Sequence, residues 1–271
     1  MHQLRTYLRT ALALLLGERC VGCGEFLSGA GVCPKCLLRL PYTNIKGAPG
    51  NPIERIFWGR VPVERANSML TYHSGNDIER LVHAIKYKGR SGLAVDIGRI
   101  MAQELLTTGF FDGIDYLQPV PLHIRRERER GYNQSERLAR GISQVTGLPI
   151  GNFVSRTVHN PTQTRLSHEE RRENVKDVFE PNTAELQRLQ PRHILIIDDV
   201  ITTGSTVINC AQAITGVRGK TDSVIAGVSV SFLSLCYAGQ MHRGRLTSEE
   251  LGRSNLTVDN SEFRESQSVS L

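Results

Sequence analysis

The sequence predicts an α/β protein, a parallel sheet with helices on both faces, preceded by a small cysteine-rich module. Three observations carry this. From Tyr42 onward, short apolar runs that read as strands alternate with segments whose apolar residues recur at helical spacing. One strand, His193 to Ile197, shows no polar alternation, the pattern of a strand lying inside a parallel sheet. Ahead of this region, four cysteines fall into two closely spaced pairs.

Size and composition set the bounds. With 271 residues, 39% of them hydrophobic and 22% charged, the chain is long enough for one substantial core plus a small module. A formal charge of +6 favours anionic partners such as phosphates, nucleotides or nucleic acid, although a modest excess also serves solubility alone. No run reaches the roughly 18 apolar residues of a membrane span. The nearest, Ser223 to Ala238, carries four serines and reads as a buried strand.

Taken in order, the first element is an amphipathic helix marked by Leu4, Leu8, Leu12 and Leu15. A secretory signal is the alternative, but its apolar run is short, and Glu18 and Arg19 stand where a cleavage site wants small residues. The expectation is a cytoplasmic protein. Ile78, Leu81, Val82 and Ile85 then share one face of a helix, and Ile97, Met101 and Leu105 one face of a second. A strand follows at Ile114 to Val120. Leu138, Ile142 and Val145 mark a third helix, stopped by Gly147 and Pro149. After a long polar stretch come the strand ending in Asp198 and Asp199, a helix from about Ser205, and a strand at Ser223 to Val230. The expected domains are 1–41, a helix and cysteine module; 42–106, a hood-like helical segment; 107–238, the α/β core; and 239–271, a polar, disordered tail.

Cys20, Cys23, Cys33 and Cys36 form C-x2-C, nine residues, C-x2-C. Each pair can turn two thiolates toward one point, helped by Gly22 and Gly24, and four sulfurs satisfy a tetrahedral zinc ion. Two disulfides, four buried thiols or a redox pair are the alternatives; disulfides need an oxidising compartment that the N-terminus does not suggest. A fully protein-ligated zinc would fold the module rather than catalyse. Cys210 falls on a helix face with Val207, Ala211 and Ile214, and Cys236 ends an apolar run; neither looks catalytic.

The stretch "ILIIDDVITTGST", Ile194 to Thr206, carries the chemistry. Ligands of parallel sheets bind beyond the carboxyl ends of the strands, where Asp198 and Asp199 stand. Neighbouring side chains on a strand point to opposite faces, so both aspartates serve one ligand only if the backbone turns there. Gly204 permits close backbone approach, the following helix offers free N–H groups, and Thr202, Thr203, Ser205 and Thr206 add hydroxyls. A monophosphate cradle beside two carboxylates suits a ribose 5-phosphate. A solvated strand end with an N-capped helix is the bland alternative, although capping needs only one such residue. The second candidate, "ITGVRGKTD", has Ile214 where a P-loop requires glycine and is discarded.

"ILIIDDVITTGST" resembles the phosphoribosyl pyrophosphate (PRPP) signature of type I phosphoribosyltransferases. Together with the four-cysteine module, "IKYKGR", "PVPLHIRRERERGYNQSERLA" and "QTRLSHEERRENVKDVF", it resembles the ComF family of bacterial phosphoribosyltransferase-like competence proteins, from about Leu12 to Val230. The resemblance implies that Asp198 and Asp199 hold the ribose hydroxyls of PRPP while Thr202, Thr203, Gly204, Ser205 and Thr206 bind its 5-phosphate. It implies that Arg125, Arg126, Arg128 and Arg130 face pyrophosphate, with Gly131 and Asn133 shaping the turn; an exposed, ion-paired helix is the alternative there. It also implies a mobile catalytic loop in which Arg165, Arg171 and Arg172 close over pyrophosphate; a disordered basic linker is the alternative. Mg2+ would arrive with the ligand. Phosphoribosyl transfer to an unidentified base, linked to DNA uptake in natural competence, is the implied activity; a non-catalytic PRPP or nucleotide sensor, or an adaptor for single-stranded DNA and a competence helicase, is the other reading. Stacking aromatics expected of a single-strand groove are sparse, with Trp58, Tyr87 and Tyr132 scattered.

Overall fold

A computed structural model of the chain describes residues 18–27, 31–72, 77–87, 90–157, 178–216 and 228–239. The expected N-terminal helix, the tail beyond residue 239 and the loop carrying Arg165, Arg171 and Arg172 lie outside the described residues. Along the chain run β1 (Glu18–Arg19), β2 (Phe26–Leu27), α1 (Pro34–Leu38), α2 (Pro52–Arg55), β3 (Ala66–Thr71), α3 (Asp77–Tyr87), α4 (Ser91–Leu105) and β4 (Tyr116–Pro119). They are followed by α5 (Ile124–Arg130), α6 (Gln134–Thr146), β5 (Val154–Thr157), β6 (Val178–Pro181), α7 (Thr183–Leu189), β7 (His193–Ile201), α8 (Ser205–Thr215) and β8 (Ser229–Tyr237).

The apolar run seen in the sequence becomes β7, an interior strand of a four-stranded sheet of order β3-β8-β7-β4. All three pairings are parallel. The parallel α/β architecture expected from the sequence is therefore present. Helices are the connections that parallel neighbours require, because adjacent parallel strands cannot be joined by a tight turn. Residues 42–106 supply the edge strand β3 and the helices α3 and α4, so this segment shares the sheet and the core with the rest. The antiparallel pair β5–β6 forms a separate ribbon.

The core gathers Ile78, Leu81 and Ile85 of α3, Ile97, Met101 and Leu105 of α4, and Leu138 and Ile142 of α6 over Leu195, Ile197, Leu233 and Leu235 of the sheet. These are the helical faces that the sequence periodicity marks. Helix α6 is capped at its start by the Asn133 side chain, which accepts from Ser135 N, and ends at Gly147 in the left-handed conformation. The stop expected at Gly147 is thus realised. Cys210 and Cys236 are both fully buried, and Ser229–Tyr237 is a strand rather than a membrane segment. No helix among the described residues is long and apolar enough to cross a membrane.

Helices α4 and α6 touch backbone to backbone. A Cβ added at Gly98 would lie 2.2 Å from the Leu138 carbonyl oxygen, and one at Gly141 would lie 2.0 Å from the Val95 carbonyl oxygen. Neither obstacle is a flexible side chain, so the helices themselves would have to separate. Gly98→Ala and Gly141→Ala are each expected to destabilise the fold by about 1–3 kcal/mol or more, the range of an overpacked core. Urea unfolding of the two variants beside the parent measures this.

Candidate ligand site and metal centre

The site begins where β7 leaves the core. The strand does not turn at the two aspartates but runs straight through them to Ile201, because Asp198 and Val200 stay in register with Ser234 and Cys236 of β8. The turn falls at 202–204 instead. Extended backbone separates the two carboxylates, and each finds its own partner. Asp198 Oδ1 accepts from Ser135 Oγ at 3.1 Å and from Asp199 N at 2.9 Å. Asp199 Oδ2 lies 3.1 Å from Lys86 Nζ at the end of α3. That approach has ion-pair distance without hydrogen-bond alignment, so among the described residues Asp199 Oδ2 is buried with no hydrogen bond.

Neighbouring like charges are felt in the titration. Desolvation and then the Asp199 carboxylate push Asp198 up to about 7, against the opposing pull of the Asp199 N–H, Ser135 and Lys86. Buried thiols nearby are pushed up as well, Cys210 by burial and then Asp198, Cys236 by burial and then Asp199. Both are poor nucleophiles, in agreement with their reading as core residues.

Beyond Ile201, the chain turns through Thr202 and Thr203, both exposed, into Gly204. Gly204 is left-handed, with φ 73°, and is the N-cap of α8; no side chain caps that helix, and its first turn contains no acidic residue. The α8 N-terminus therefore keeps the unpaired N–H groups and positive dipole end that bind anions. Thr203 Oγ1 and Ser205 Oγ are 2.9 Å apart. The loop is fastened from outside: Arg60 Nη1 donates to the Thr203 carbonyl at 2.8 Å, and a Cβ at Gly204 would meet Ile56 at 3.0 Å and Phe57 at 3.1 Å. Phe57 is itself stacked on Phe232 of β8, with ring centroids 4.3 Å apart.

The expected pyrophosphate-facing residues lie on α5 and the turn after it. Arg126 is exposed, Arg130 donates to Gln134 Oε1 at 2.8 Å, and the side chain of Arg125 is outside the described residues. Gly131 takes the left-handed conformation, φ 82°, that the turn demands. Asn133 has both ends of its amide engaged with backbone, accepting from Ser135 N and donating to Val120 O at 3.0 Å. Tyr132 is buried and its hydroxyl donates to the Ile85 carbonyl, which ties this turn to the end of α3. Sequence reading singled out neither Lys86, Ser135 nor Arg60. Lys86 and Ser135 sit inside the stretches "IKYKGR" and "NQSERLA", but only the fold brings them to the aspartates.

Cys20, Cys23, Cys33 and Cys36 converge, with their sulfurs within 4.8 Å of one another. A tetrahedral zinc with Zn–S bonds of about 2.3 Å implies sulfurs about 3.8 Å apart, and Cys23 Sγ is 3.7 Å from Cys33 Sγ. Backbone N–H groups already point at sulfur, Cys33 N at Cys20 Sγ (3.3 Å) and Cys36 N at Cys33 Sγ (3.4 Å). At Cys20 desolvation raises the thiol, yet the backbone N–H groups of Cys23, Cys33 and Gly22 together bring it down to about 6. A Cβ at Gly22 would sit 2.7 Å from Cys36 Sγ, so that knuckle admits only glycine. The donor set and spacing fit a structural zinc ion.

Fold and cysteine cluster together define a parallel α/β protein with an N-terminal four-cysteine module. A DNA utilization protein YhgH of Salmonella typhi is 33% identical to the chain over 209 residues, 75% of this chain and 87% of that one. The chain belongs to the family of this protein and of Competence protein F, the ComF family; Competence protein F of Haemophilus influenzae is 40% identical over 90 residues, 33% of this chain and 39% of that one. No family model matches. Among solved structures, a glutamine phosphoribosylpyrophosphate (PRPP) amidotransferase from B. subtilis complexed with ADP and GMP is similar at a TM-score of 0.33 and 17% identity, over 56% of this chain and 40% of that one.

Two outcomes follow from this geometry. A carboxyl whose folded pKa stands above its unfolded value near 4 favours the fold fully below that value and loses this contribution as pH rises through about 7. Asp198→Asn should therefore melt higher than the parent at pH 8, with the gap narrower at pH 5, as thermal unfolding at the two pH values will read. For the module, protein purified without chelator should carry about one zinc ion per chain by elemental analysis; Cys20→Ser should lower that content.

Proposed function

We propose that the site binds PRPP and transfers its phosphoribosyl group to a nitrogenous base, releasing pyrophosphate. The observation that carries this reading is the pairing, at one sheet edge, of an uncapped helix N-terminus with a buried carboxylate oxygen that lacks a hydrogen bond. An anion suits the first and a hydroxyl donor the second, and a ribose phosphate offers both.

In this reading the 5-phosphate lies against the N–H groups and hydroxyls of Thr202 to Thr206, and the ribose diol donates to Asp199, whose Oδ2 lacks a hydrogen bond, while Asp198, on the other side of the extended strand and held by Ser135, supports the site from behind. No protein nucleophile is needed. The base nitrogen attacks the anomeric carbon as the bond to pyrophosphate breaks, so positive charge develops on the sugar beside the two carboxylates while the leaving group takes the bonding pair. Arg125, Arg126 and Arg130 are assigned to pyrophosphate in this reading, Gly131 and Asn133 to the turn, and Arg165 and Arg171 to the segment that would close over it and exclude water. Mg2+, carried in by the pyrophosphate, would supply charge neutralisation of the leaving group. The zinc module serves folding, and the cytoplasm is where PRPP is met. The names of the relatives, DNA utilization and competence, support a role for this chemistry in handling imported DNA or its components.

Calorimetric titration with PRPP, with and without Mg2+, tests the reading. Magnesium-dependent binding is expected, and Asp198→Asn combined with Asp199→Asn should abolish it while circular dichroism stays unchanged. Absence of binding at millimolar PRPP would overturn the assignment and leave an adaptor for single-stranded DNA and a helicase as the function of the fold.

A further inference from the structure

Lys86 differs from the described arginines assigned to pyrophosphate. Arg126 and Arg128 are exposed on α5, and Arg130 donates to Gln134. Lys86 instead is largely buried, its side chain 22% exposed, with Nζ 3.1 Å from an Asp199 oxygen whose own side chain is 16% exposed. The pair is held by charge alone, for the contact is not aligned as a hydrogen bond. A partly buried ion pair whose carboxylate oxygen has no directional bond is poorly compensated, and a partner offering that oxygen better geometry would displace the contact.

The surroundings fix where Lys86 stands while leaving its head able to move. Its helix is pinned one residue earlier, where Tyr132 donates to the Ile85 carbonyl, so the base of the side chain is joined to the turn at Gly131. Four carbons of flexible stem lie beyond that anchor. A ligand whose hydroxyls hydrogen-bond to Asp199 takes over the very oxygen that Lys86 faces. In PRPP the pyrophosphate on C1 lies on the same face of the ribose ring as the two hydroxyls. A cation expelled from the diol carboxylate thus finds the leaving group's oxygens next to it.

We propose that Lys86 is a ligand-binding residue of this site that exchanges partners: it pairs with Asp199 in the free protein and with the pyrophosphate oxygens of the bound ligand. The assignment rests on the PRPP reading above and adds a residue to it. It also answers an electrostatic difficulty, since two adjacent carboxylates would repel a pyrophosphate, and Lys86 supplies positive charge where that repulsion is strongest. No covalent step involves the lysine; its ammonium keeps its protons and acts by charge-assisted hydrogen bonding.

Two ligands and two variants test this. PRPP with Mg2+ carries diol, 5-phosphate and pyrophosphate, whereas ribose 5-phosphate lacks the pyrophosphate. Lys86→Met should weaken PRPP binding on the order of tenfold or more, the size of a lost charge-assisted hydrogen bond, and should leave the affinity for ribose 5-phosphate within about threefold. Lys86→Arg, which keeps the charge, should retain most PRPP affinity, with thermal melts showing that both variants fold. Equal losses for the two ligands would mean that Lys86 acts only through Asp199 and would overturn the exchange; so would undiminished PRPP binding by Lys86→Met. Should the parent bind neither ligand, the PRPP reading itself fails, a result distinct from either of these. Should Lys86→Met fail to fold, Lys86→Gln takes its place, with the same loss expected for PRPP and the same sparing of ribose 5-phosphate.

Discussion

Two carboxylates on consecutive residues at the end of a buried strand are the constraint around which this protein is arranged. An apolar strand inside a parallel sheet is a costly place to deliver charge, and a pair of like charges there is costlier. The structure separates them by keeping the backbone extended through both, so each meets a different neighbour: Ser135 for Asp198, Lys86 for Asp199. Those neighbours come from the start of α6 and the end of α3. The close α4–α6 crossing at Gly98 and Gly141 and the Tyr132 tether to Ile85 therefore govern the site although they are remote from its chemistry.

The other half of the site depends on a different support. The loop from Thr202 to Gly204 carries no side-chain cap of its own, and its shape is imposed by the segment after α2. Arg60 holds the Thr203 carbonyl, while Ile56 and Phe57 fill the space where any side chain at Gly204 would go. Phe57 transmits that position from β8 through its ring contact with Phe232. Both halves of the site are thus referred to the same two central strands. Carboxylates and helix N-terminus keep a fixed separation, the preorganisation that the proposed binding of a phosphate and a diol together requires.

Much of this was legible in the sequence. Periodicity placed the faces of α3, α4 and α6, the unbroken apolar run placed β7 inside the sheet, and cysteine spacing placed the metal centre, because each signal is local and repeats over several residues. The hidden parts were of another kind. Strand continuation through Asp198 and Asp199 depends on pairing with Ser234 and Cys236, more than thirty residues away in sequence, so the turn falls at 202–204 instead. The attachments of Lys86, Ser135 and Arg60 are likewise single long-range contacts with no period to betray them. The Arg-Glu run on α5 announced itself loudly in sequence, yet of its described arginines Arg126 and Arg128 point to solvent, whereas the quieter Lys86 meets the carboxylate.

A chain with a core of this size does not need a metal to fold its α/β body, which raises the question of what the cysteine module adds. Its contacts suggest an answer in mechanics. Gly31 is so close to α4 that a Cβ there would lie 2.3 Å from Leu93, Val21, Val32 and Leu37 pack against the main core, and Arg90 donates to the Arg19 carbonyl. Arg90 and Leu93 stand at the start of α4, just past the joint with α3. The same α3 ends with Ile85, tied to Tyr132, and with Lys86 beside Asp199. The module thus packs on the start of the helix that follows the one carrying Lys86. Four thiolates on one ion would make that contact stiff in a stretch too short to hold its shape by burial alone. The cysteine module lies apart from the two aspartates and is joined to them only through the position of these helix ends.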